Sequence, residues 1–494
     1  MVNYACKTAN LVLLCGTHAR FILFNPQPSA PPAMSFTAFS QKMESAGASG
    51  SAIRCFERSY SVLTSDASGL IAETEIEPVS DILELHELPA LHEDSPELRT
   101  LLESCAILKL NGGLGTSMGL EKAKSLLQVR DGLTFLDLIF KQVAHFRMTT
   151  GANVPFLLMN SFSTSGDTSN YLRANSLVSD PSEIELLQNK IPKIDAATLQ
   201  PAEWPENADL EWCPPGHGDL YPVLAEKIDT LIARGVRYLF VSNADNLGAT
   251  LEPTILSWFA ASGAPFLMEV TTRTASDRKG GHLALHDGRL ILRESAQCPD
   301  ADLDAFQDIS KHRFFNTNNL WLRLDRLKDA LVAEGGFLPL PVIQNKKTVD
   351  PRNKKSTPVL QLETAMGAAI ECFRDAAALA VPRTRFAPVK TTEDLLTLRS
   401  DAYAISTAGE VALAAERNGI PPKVDLDDNY KLVDQLEAAI PHGAPSLIAC
   451  ETLRISGRVE FSGNVEAIGN VQIKNTSDTT AVIPPGVISG EVNC

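Results

Sequence analysis

Residues 107–127 read ILKLNGGLGTSMGLEKAKSLL. The apolar run from Cys105 to Leu110 stops at a cluster of glycines, and a helix-like pattern with two lysines follows. Glycines let a backbone turn tightly and approach a ligand without Cβ clashes. Free N–H groups next to a helix N-terminus form a site for phosphate or another anion. The stretch therefore predicts a strand, an anion-binding loop and a helix, around which the rest of the chain builds a site.

Two widespread glycine motifs do not fit this loop. The phosphate-binding loop of P-loop enzymes requires a lysine directly after its last glycine, but Gly119 is followed by Leu120. The dinucleotide fingerprint G-x-G-x-x-G fits Gly113 and Gly115, but Met118 stands where the third glycine is required. Taken by itself, the loop is also compatible with a plain corner between a strand and a helix.

Composition excludes several classes of protein. A chain of 494 residues is too long for one ordinary domain, and its net charge of −16 argues against a nucleic-acid partner. No apolar run reaches the roughly 18 residues that a membrane span needs. Nine scattered cysteines without a C-x-x-C pair are typical of reduced thiols in an intracellular protein. We therefore expect a cytoplasmic protein with neither a nucleic-acid nor a membrane partner.

The chain before residue 104 carries no recognisable chemistry. No Asp or Glu occurs before Glu44, and acid-poor N-termini are typical of organelle transit peptides. An over-extended start ahead of Met34 explains the same pattern, so residues 1–33 are expected to be disordered, a targeting segment or an over-extension. Residues 34–103 are helical, then acidic and rich in proline, which predicts an N-terminal accessory segment.

Residues 104–406 alternate strand-like and helix-like stretches. The strand candidates are Cys105–Leu110, Val154–Asn160, Arg237–Ser242 and Pro265–Val270, and the helix candidates are Thr134–Phe146, Thr168–Asn175 and Leu220–Arg234. This alternation predicts an α/β, Rossmann-like core with a mostly parallel, doubly wound sheet and ligands at the carboxyl ends of its strands. A hairpin (Gly281–His286 and Arg289–Glu294), a strand (Phe314–Leu324) and two helices (Leu327–Ala333 and Gln361–Phe373) are predicted to follow.

The tail has a different period. Apolar residues recur roughly every six positions with glycines between them, at Leu453, Ile455, Val459, Phe461, Val465, Ile468, Val471 and Ile473. A period near six is that of hexapeptide β-helices. Residues 407–494 are therefore predicted to be a C-terminal domain that ends in left-handed β-helix-like repeats. Such repeats serve either as a stable cap or in self-association.

Residues 110–119, LNGGLGTSMG, resemble the nucleotide-binding loop of eukaryotic-type UTP–glucose-1-phosphate uridylyltransferases, also called UDP-glucose pyrophosphorylases. Relatives that act on N-acetylhexosamines usually carry arginine where this chain has Ser117. Further stretches resemble the same family: Met159–Phe162, Gln188–Lys193, Pro214–Asp219, Val241–Gly248, Arg278–His282, Phe314–Trp321 and Phe386–Lys390. The resemblance covers most of residues 104–406 and implies a nucleotidyltransferase core.

The resemblance also implies a reaction, in which UTP and glucose 1-phosphate give UDP-glucose and pyrophosphate with Mg²⁺. A sugar-phosphate oxygen attacks the α-phosphorus directly, so catalysis consists mostly of positioning and electrostatic stabilisation. A monomer or a weak homo-oligomer is expected. A pyrophosphorylase for another UDP-sugar (galactose or N-acetylhexosamine) and a non-catalytic UDP-sugar-binding regulator remain alternatives. Retention of both Lys124 and Lys390 argues against the regulator.

Charged residues in the matching stretches are the candidates for catalysis. In the family pattern Lys124 and Lys390 bring positive charge to the reacting phosphates, although Glu121-Lys122-Ala123 departs from the Gly-Pro that commonly precedes the first lysine. Asp245 follows an apolar strand, and the resemblance makes it the Mg²⁺ ligand. One carboxylate together with phosphate oxygens and waters is the usual way to hold this ion. A turn residue is the alternative for Asp245.

The remaining site residues follow from the same resemblance. Nucleotide binding is assigned to Leu110, Asn111, Gly112, Gly113, Lys124, Gln188, Gly216, Asp245 and Lys390. Sugar-phosphate binding is assigned to His217, Asn243, Ala244, Gly281, Glu294, Asn316 and Asn318. Gln188 carries the donor and the acceptor that reading a uracil edge needs, and the Gly-His-Gly turn leaves the ring of His217 accessible. Asn316 and Asn318 alternate along a strand and so share a face. His282 and His286 also share a strand face, but without a third ligand they do not predict a metal site.

Overall fold

The computed structural model describes residues 36–65, 69–91 and 95–494, so the prediction for residues 1–33 lies outside the described residues. The N-terminal part comprises α1 (Thr37–Ser45), α2 (Gly50–Thr64), β1 (Glu77–Pro78) and α3 (Pro96–Glu103). The aromatic rings of Phe39, Phe56 and Tyr60 are buried in one apolar cluster with Ile194 and Leu362. These helices are therefore built into the body of the protein by apolar burial.

A mixed sheet of ten strands forms the centre of the protein. The elements of this part are, in chain order, β2 (Cys105–Asn111), β3 (Gln128–Arg130), β4 (Leu133–Thr134), α4 (Phe135–Thr150), β5 (Phe156–Asn160), α5 (Ser165–Ala174), β6 (Glu185–Leu187), β7 (Ile191–Pro192), β8 (Ile194–Asp195), β9 (Trp212–Cys213), α6 (Leu220–Ala233), β10 (Tyr238–Asn243), α7 (Pro253–Ser262), β11 (Phe266–Thr272), β12 (His282–His286), β13 (Arg289–Arg293), α8 (Leu303–Phe306), β14 (Phe314–Arg323), α9 (Leu324–Ala333), β15 (Val342–Thr348), β16 (Pro358–Thr364), β17 (Ala377–Ala380) and α10 (Thr392–Arg399). The main strand order is β1-β12-β14-β10-β2-β5-β6. Strands β10, β2, β5 and β6 run parallel, whereas β14 is antiparallel to both β10 and β11.

Strand β2 shows why the middle of the sheet is buried on both faces. Cys105 and Ile107 belong to one apolar cluster, and Ala106 and Leu108 belong to another. Successive side chains of a strand point to opposite faces, so each face of β2 is covered by its own core. The parallel register brings the carboxyl ends of β2, β5 and β10 to one edge of the sheet, and the polar residues that follow these strands converge there.

The α/β fold is confirmed, and the predicted strands and helices of the parallel part form with ends that differ by a few residues. The helix predicted directly after the glycine loop is wrong. Two short 3-10 turns, Thr116–Met118 and Lys124–Leu126, take its place, and the next α-helix is α4. Gly115 and Gly119 adopt left-handed φ angles of 68° and 76°, which a continuous right-handed helix does not allow. Any anion at this loop is therefore bound without a helix N-terminus.

A second predicted helix, Gln361–Phe373, is also wrong. Strand β16 occupies the first part of this segment, and a 3-10 turn from Met366 to Cys372 occupies the rest. In β16, Leu360 and Leu362 are buried while Gln361 is only partly buried. This period of two is typical of a strand with one covered face, and the seven-residue pairing with β15 stabilises it.

Every strand pair in the sheets formed by residues 423–493 is parallel. The elements after α10 are β18 (Tyr403–Ile405), β19 (Val411–Leu413), β20 (Lys423–Leu426), α11 (Val433–Ala439), β21 (Cys450–Ser456), β22 (Val459–Phe461), β23 (Val465–Lys474), β24 (Ala481–Ile483) and β25 (Gly486–Asn493). Leu453 pairs with Val471 and Ile455 pairs with Ile473, so buried apolar residues stack from strand to strand.

Across residues 36–65, 69–91 and 95–494, no helix combines the length and the apolar character needed to cross a membrane. The cysteines of the same residues are all free.

Candidate functional site

A cleft opens at the edge where β2, β5 and β10 end, and it encloses a volume of about 340 Å³. Its walls are formed by Leu110, Asn111, Gly112, Gly113, Lys124, Ser125, Met159, Gln188, Pro214, Gly216, His217, Asn243, Ala244, Asp245, Asn318 and Lys390. Most of the residues assigned from sequence therefore lie in one cavity, although they come from distant parts of the chain. Ser125, Met159 and Pro214 were not assigned from sequence.

The glycine loop is held from behind by hydrogen bonds. The buried side chain of Asn111 donates to Asn160 Oδ1 (2.7 Å) and to Thr168 Oγ1 (3.0 Å). The hydroxyl of Ser161 donates to the carbonyl oxygen of Gly112 at 2.9 Å. A Cβ at Gly112 would lie 2.9 Å from Oε1 of Gln188. The side chain of Asn111 thus braces the loop, and only glycine lets the backbone approach Gln188 this closely.

Lys124 reaches the cleft despite the altered residues before it. Its backbone N–H donates to the carbonyl oxygen of Gly113 at 3.0 Å, which folds the loop back on itself. Its ammonium donates to Oδ2 of Asp245 at 2.7 Å and also to the carbonyl oxygen of Val389. The neighbouring Lys122 is exposed. Lys124 therefore lies beside the Asp245 carboxylate even though residues 121–123 differ from the family pattern.

Asp245 is the electrostatic centre of the cleft. Its Oδ2 accepts hydrogen bonds from Lys124 and, at 2.8 Å, from Lys390. Desolvation would raise the pKa of Asp245, but the charges and hydrogen bonds of Lys390 and Lys124 lower it below the ordinary value. The three groups together carry one net positive charge, which favours phosphate. The hydrogen bonds that Oδ2 of Asp245 accepts come from these two lysines.

The second oxygen of the same carboxylate is an unsatisfied acceptor. Oδ1 of Asp245 is buried and has no hydrogen-bond partner, which is costly unless a ligand satisfies it. Within the described ranges, no group of three or more His, Cys, Asp or Glu residues could hold a metal by itself. Mg²⁺ typically binds through one or two carboxylates plus phosphate oxygens and waters. One free carboxylate oxygen beside a phosphate site fits this ion.

Lys390 lies on the open side of the cleft, with 55% of its side chain exposed. The backbone N–H of Val389 donates to the carbonyl oxygen of Asp245 at 3.2 Å. Asp394 accepts the backbone N–H of Lys390 at 2.7 Å. The segment that carries Lys390 is therefore fastened directly to the turn that carries Asp245.

Beneath these two segments lies a buried polar network that the sequence did not reveal. Glu269 is fully buried and accepts hydrogen bonds from Nε (2.8 Å) and Nη2 (2.7 Å) of Arg385. Asn246 donates to the carbonyl oxygen of Arg385 at 3.0 Å and accepts the N–H of Ala387 at 3.1 Å. The network holds the Asp245 turn and the Lys390 segment together. Asn246 belongs to residues 241–248, one of the stretches that resemble the family. Arg385 lies one residue before residues 386–390, the last of these stretches, so the resemblance pointed to its surroundings but not to Arg385 itself.

Arg385→Met is expected to lower the free energy of unfolding by about 3–5 kcal/mol, because it leaves the charge of Glu269 buried without its partner. Chemical denaturation measures this loss. Arg352→Met is the control, since Arg352 forms an ion pair in which both side chains are more than four-fifths exposed. Equal stabilities of the two variants would contradict the structural role of the network.

His217 is a neutral hydrogen-bond donor in this geometry. Its Nδ1 accepts the backbone N–H of Met366 at 3.0 Å, so the ring proton sits on Nε2. One side of the residue is exposed to the cleft, as its Gly-His-Gly turn predicts. Protein atoms still surround much of the ring, and this desolvation, helped by the charge of Lys390, lowers the pKa of His217 to about 4. The ring therefore offers an N–H and not a full charge to a bound phosphate.

Gln188 is held between the glycine loop and the turn that carries His217. Its Nε2 donates to the carbonyl oxygen of Gly216 at 2.7 Å. Gly216 has a φ of 82°, and a Cβ there would lie 2.5 Å from the carbonyl oxygen of Thr364, so this position requires glycine. One N–H and the Oε1 atom of Gln188 remain for a ligand.

Three residues assigned to the sugar phosphate do not line the cavity: Gly281, Glu294 and Asn316. Gly281 lies against Glu294, because a Cβ there would be 2.6 Å from its Oε2. Burial raises the pKa of Glu294 above its ordinary value. Asn316 donates to Oδ1 of Asn318, which does reach the cavity, at 3.0 Å. Asn316 is thus linked to the cavity wall through Asn318, whereas Gly281 and Glu294 lie outside the cavity.

Asn316 and Asn318 come together through a bulge and not through regular strand alternation. Asn318 has a left-handed φ of 59°, and the register of β11 against β14 shifts at this point. The bulge re-aims one side chain towards the cleft.

His282 is buried and stacks on His312 with ring centroids 3.8 Å apart.

Comparison with known proteins identifies the family. The family model described as UTP–glucose-1-phosphate uridylyltransferase matches residues 53–467. A probable UTP–glucose-1-phosphate uridylyltransferase of Schizosaccharomyces pombe is 41% identical over 410 residues, which are 80% of this chain and 79% of that protein. The UTP–glucose-1-phosphate uridylyltransferase of Solanum tuberosum is 39% identical over 409 residues, or 81% of this chain and 83% of that protein.

Solved structures agree with the sequence relatives. A variant of UDP-glucose pyrophosphorylase from Leishmania major in complex with UDP-glucose is 44% identical, with a TM-score of 0.86, and the match covers 93% of this chain and 99% of that chain. UDP-glucose phosphorylase from Trypanosoma brucei is 46% identical with a TM-score of 0.84, over 93% of this chain and 99% of that chain. The chain therefore belongs to the UTP–glucose-1-phosphate uridylyltransferase family.

Proposed function

We propose that the protein catalyses the formation of UDP-glucose and pyrophosphate from UTP and glucose 1-phosphate. The observation that carries this proposal is the Asp245 carboxylate shared by Lys124 and Lys390 beside a glycine loop. Phosphoryl-group chemistry needs positive charge where the phosphates rearrange and close backbone approach to them. The family and its structural relatives supply the identity of the two substrates.

The cleft divides into a nucleotide part and a sugar-phosphate part. We assign the base and ribose side to Leu110, Asn111, Gly112, Gly113, Gln188 and Gly216, and the triphosphate to Lys124, Asp245 and Lys390. We assign the sugar phosphate to His217, Asn243, Ala244, Gly281, Glu294, Asn316 and Asn318. Lys124 and Lys390 are the catalytic residues in this assignment. They orient the reacting phosphates and stabilise the charge that builds on the departing pyrophosphate.

Mg²⁺ is the metal that this donor set fits best, with Oδ1 of Asp245 as the one protein ligand. When bound, the ion neutralises phosphate charge and orients the triphosphate. The protein's own contribution is to keep Asp245 ionised. The two lysines do this by donating hydrogen bonds to Oδ2, and their charges lower the pKa of the carboxyl group.

The test of this proposal is a pyrophosphate-release assay with UTP, Mg²⁺ and a panel of sugar 1-phosphates. Glucose 1-phosphate is expected to give the highest kcat/KM. Higher activity with galactose 1-phosphate or N-acetylglucosamine 1-phosphate would assign the protein to another UDP-sugar. Tight binding of UDP-glucose without turnover of any sugar phosphate would identify a regulator.

Base selection gives a separate prediction. Uracil presents two carbonyl acceptors and an N3–H donor, and the remaining donor and acceptor of Gln188 match this edge. Cytosine replaces one carbonyl by an amino group and the N3–H by an acceptor, so buried polar groups would face like groups. Each such mismatch costs about 1–3 kcal/mol, so CTP is expected to react about 10²-fold less efficiently than UTP.

Steady-state kinetics with UTP, dUTP, dTTP and CTP measure the base and ribose contributions side by side. Because thymine keeps the edge of uracil, dTTP is expected to be rejected less than CTP unless the ribose hydroxyl is also read. Gln188→Ala is expected to weaken UTP and to shrink its advantage over CTP. An unchanged UTP/CTP ratio would mean that the backbone of residues 110–113 reads the base alone.

We infer three domain-level segments, 34–103, 104–406 and 407–494. The parallel pairing of β20 to β25 and the stacking of their apolar residues support β-helix-like coils at the end of the last segment. We further propose a cytoplasmic location, on the basis of the scattered cysteines, and a monomer or weak homo-oligomer.

A further inference from the structure

The buried carboxylate of Asp219, behind the cleft wall, accepts hydrogen bonds from the residue next to Gln188. Asp219 is only 4% exposed and does not line the cavity. Its Oδ2 accepts the backbone N–H of Asn189 at 2.7 Å, and its Oδ1 accepts the side-chain Nδ2 of Asn189 at 3.0 Å. Both oxygens of the Asp219 carboxylate thus bind Asn189, which directly follows Gln188, the residue proposed to recognise the base.

A second connection joins the same two segments. The side chain of Gln188 donates to the carbonyl oxygen of Gly216, three residues before Asp219. Gln188 and Asn189 are therefore both bonded to the turn 216–219. Gln188 donates to a backbone carbonyl of this turn, and Asn189 donates to the carboxylate of Asp219. Two connections at adjacent positions fix both the place of the backbone and the direction of the Gln188 amide.

The turn itself is anchored to β16. The backbone N–H of Thr364 donates to the carbonyl oxygen of Pro215 at 2.9 Å. Gly216 and Gly218 lie so close to Thr364 that a Cβ at either glycine would approach it to 2.5 or 2.3 Å. A continuous set of contacts therefore runs from the sheet β15–β16 through the turn 216–219 to Gln188.

Burial raises the pKa of Asp219 to about 7, and the hydrogen bonds from Asn189 oppose this rise because they stabilise the ionised carboxylate. The ionised carboxylate only accepts hydrogen bonds, so it can take a backbone N–H and an amide N–H at the same time. An asparagine would turn an NH₂ donor towards one of these N–H groups, so the Asn189 amide would have to turn over to accept it, and both hydrogen bonds would lose the strength that the charge gives them. Asp219→Asn therefore weakens the hold on Asn189 and reverses the direction of its amide.

We propose that Asp219 is a positioning residue for base recognition, which holds the segment 188–189 so that the Gln188 amide meets the uracil edge and rejects cytosine. This inference rests on the proposed role of Gln188 in the proposed function. It assigns the discrimination between pyrimidine nucleotides to a group that touches neither substrate.

A merely structural role for Asp219 would have a different signature. General loosening of the cleft would weaken UTP and CTP alike, because both share the triphosphate and the ribose. A positioning role acts through Gln188 and so depends on that side chain being present. A double-mutant cycle separates the two cases.

The experiment compares Asp219→Asn in the wild-type and in the Gln188→Ala background, with kcat/KM measured for UTP and CTP. In the wild-type background the UTP/CTP ratio is expected to fall about tenfold, which corresponds to the usual difference between a charge-assisted and a neutral hydrogen bond. In the Gln188→Ala background the ratio is expected to stay unchanged. KM for glucose 1-phosphate is expected to stay unchanged in both. Asp209→Asn, at an exposed aspartate, is the matched control.

Asn189→Ala tests the same contact if Asp219→Asn does not fold. This variant keeps the backbone hydrogen bond to Asp219 and loses the side-chain bond, so a smaller fall of the UTP/CTP ratio is expected. An unchanged ratio in the wild-type background, or an equal fall in both backgrounds, would overturn the positioning role while UDP-glucose formation continued. If Gln188→Ala by itself left the ratio unchanged, the base-reading role and the inference would both fail.

Discussion

Asp245→Asn is expected to lower kcat by at least about 10²–10³-fold, the usual effect of losing one preorganised electrostatic group. Asparagine keeps the shape of the side chain but removes the charge that Lys124 and Lys390 share. It also weakens the attraction of Oδ1, the buried oxygen without a hydrogen-bond partner, for Mg²⁺. The rate measured against Mg²⁺ concentration is expected to recover only in part at excess metal.

Thermal unfolding distinguishes this role from that of a turn residue. The variant is expected to unfold at a moderately lower temperature, because the two lysines lose their carboxylate partner, while a backbone bond from Asn246 to Asn243 still closes the turn after β10. Asp229→Asn is the control, since Asp229 pairs with Lys328 on the exposed surface. A large loss of thermal stability with an unchanged Mg²⁺ dependence would remove Asp245 from the metal site.

Lys390→Ala is expected to lower kcat by about 10²–10³-fold while it weakens UTP binding much less. The lysine is half exposed, and Lys124 still pairs with Asp245 when Lys390 is replaced. The charge of Lys390 matters most when negative charge moves onto the departing pyrophosphate. Separate measurement of kcat by turnover and of UTP binding by calorimetry resolves the two effects.

Lys122→Ala is the matched control, because Lys122 is exposed and lies two residues from the other catalytic lysine. Its variant is expected to keep wild-type turnover. A kcat of the Lys390 variant within about threefold of wild type would remove this residue from the catalytic set. Equal losses of kcat and of UTP affinity would instead assign it to ground-state binding.

The sequence predicted those parts of the protein that depend on local pattern. The apolar run of β2 and the glycines after it were sufficient to locate a loop at the end of a buried parallel strand. The helix predicted after this loop failed because two glycines there adopt left-handed angles. A helix was likewise predicted where β16 forms, since its strand alternation lasts only seven residues and is stabilised by a partner strand.

The candidate site followed mainly from resemblance, and the supporting contacts could not be predicted. Glu269 and Arg385 are 116 positions apart, and the residues that flank each of them do not indicate that the two side chains meet. The bulge that brings Asn318 to the cleft depends on the pairing of β14 with β11. Contacts of this kind are properties of the folded chain, because they depend on tertiary register and not on neighbouring residues.

Isotope exchange between labelled pyrophosphate and UTP tests most directly whether the cleft transfers the uridylyl group straight from UTP to glucose 1-phosphate. The proposed reaction uses no enzyme nucleophile, so the enzyme with Mg²⁺, UTP and pyrophosphate alone is expected to incorporate no label into UTP. Addition of UDP-glucose is expected to start rapid incorporation, because pyrophosphate then attacks the sugar nucleotide in the reverse reaction. Incorporation without any sugar compound would reveal a covalent uridylyl-enzyme, and no incorporation even with UDP-glucose would contradict the proposed reaction.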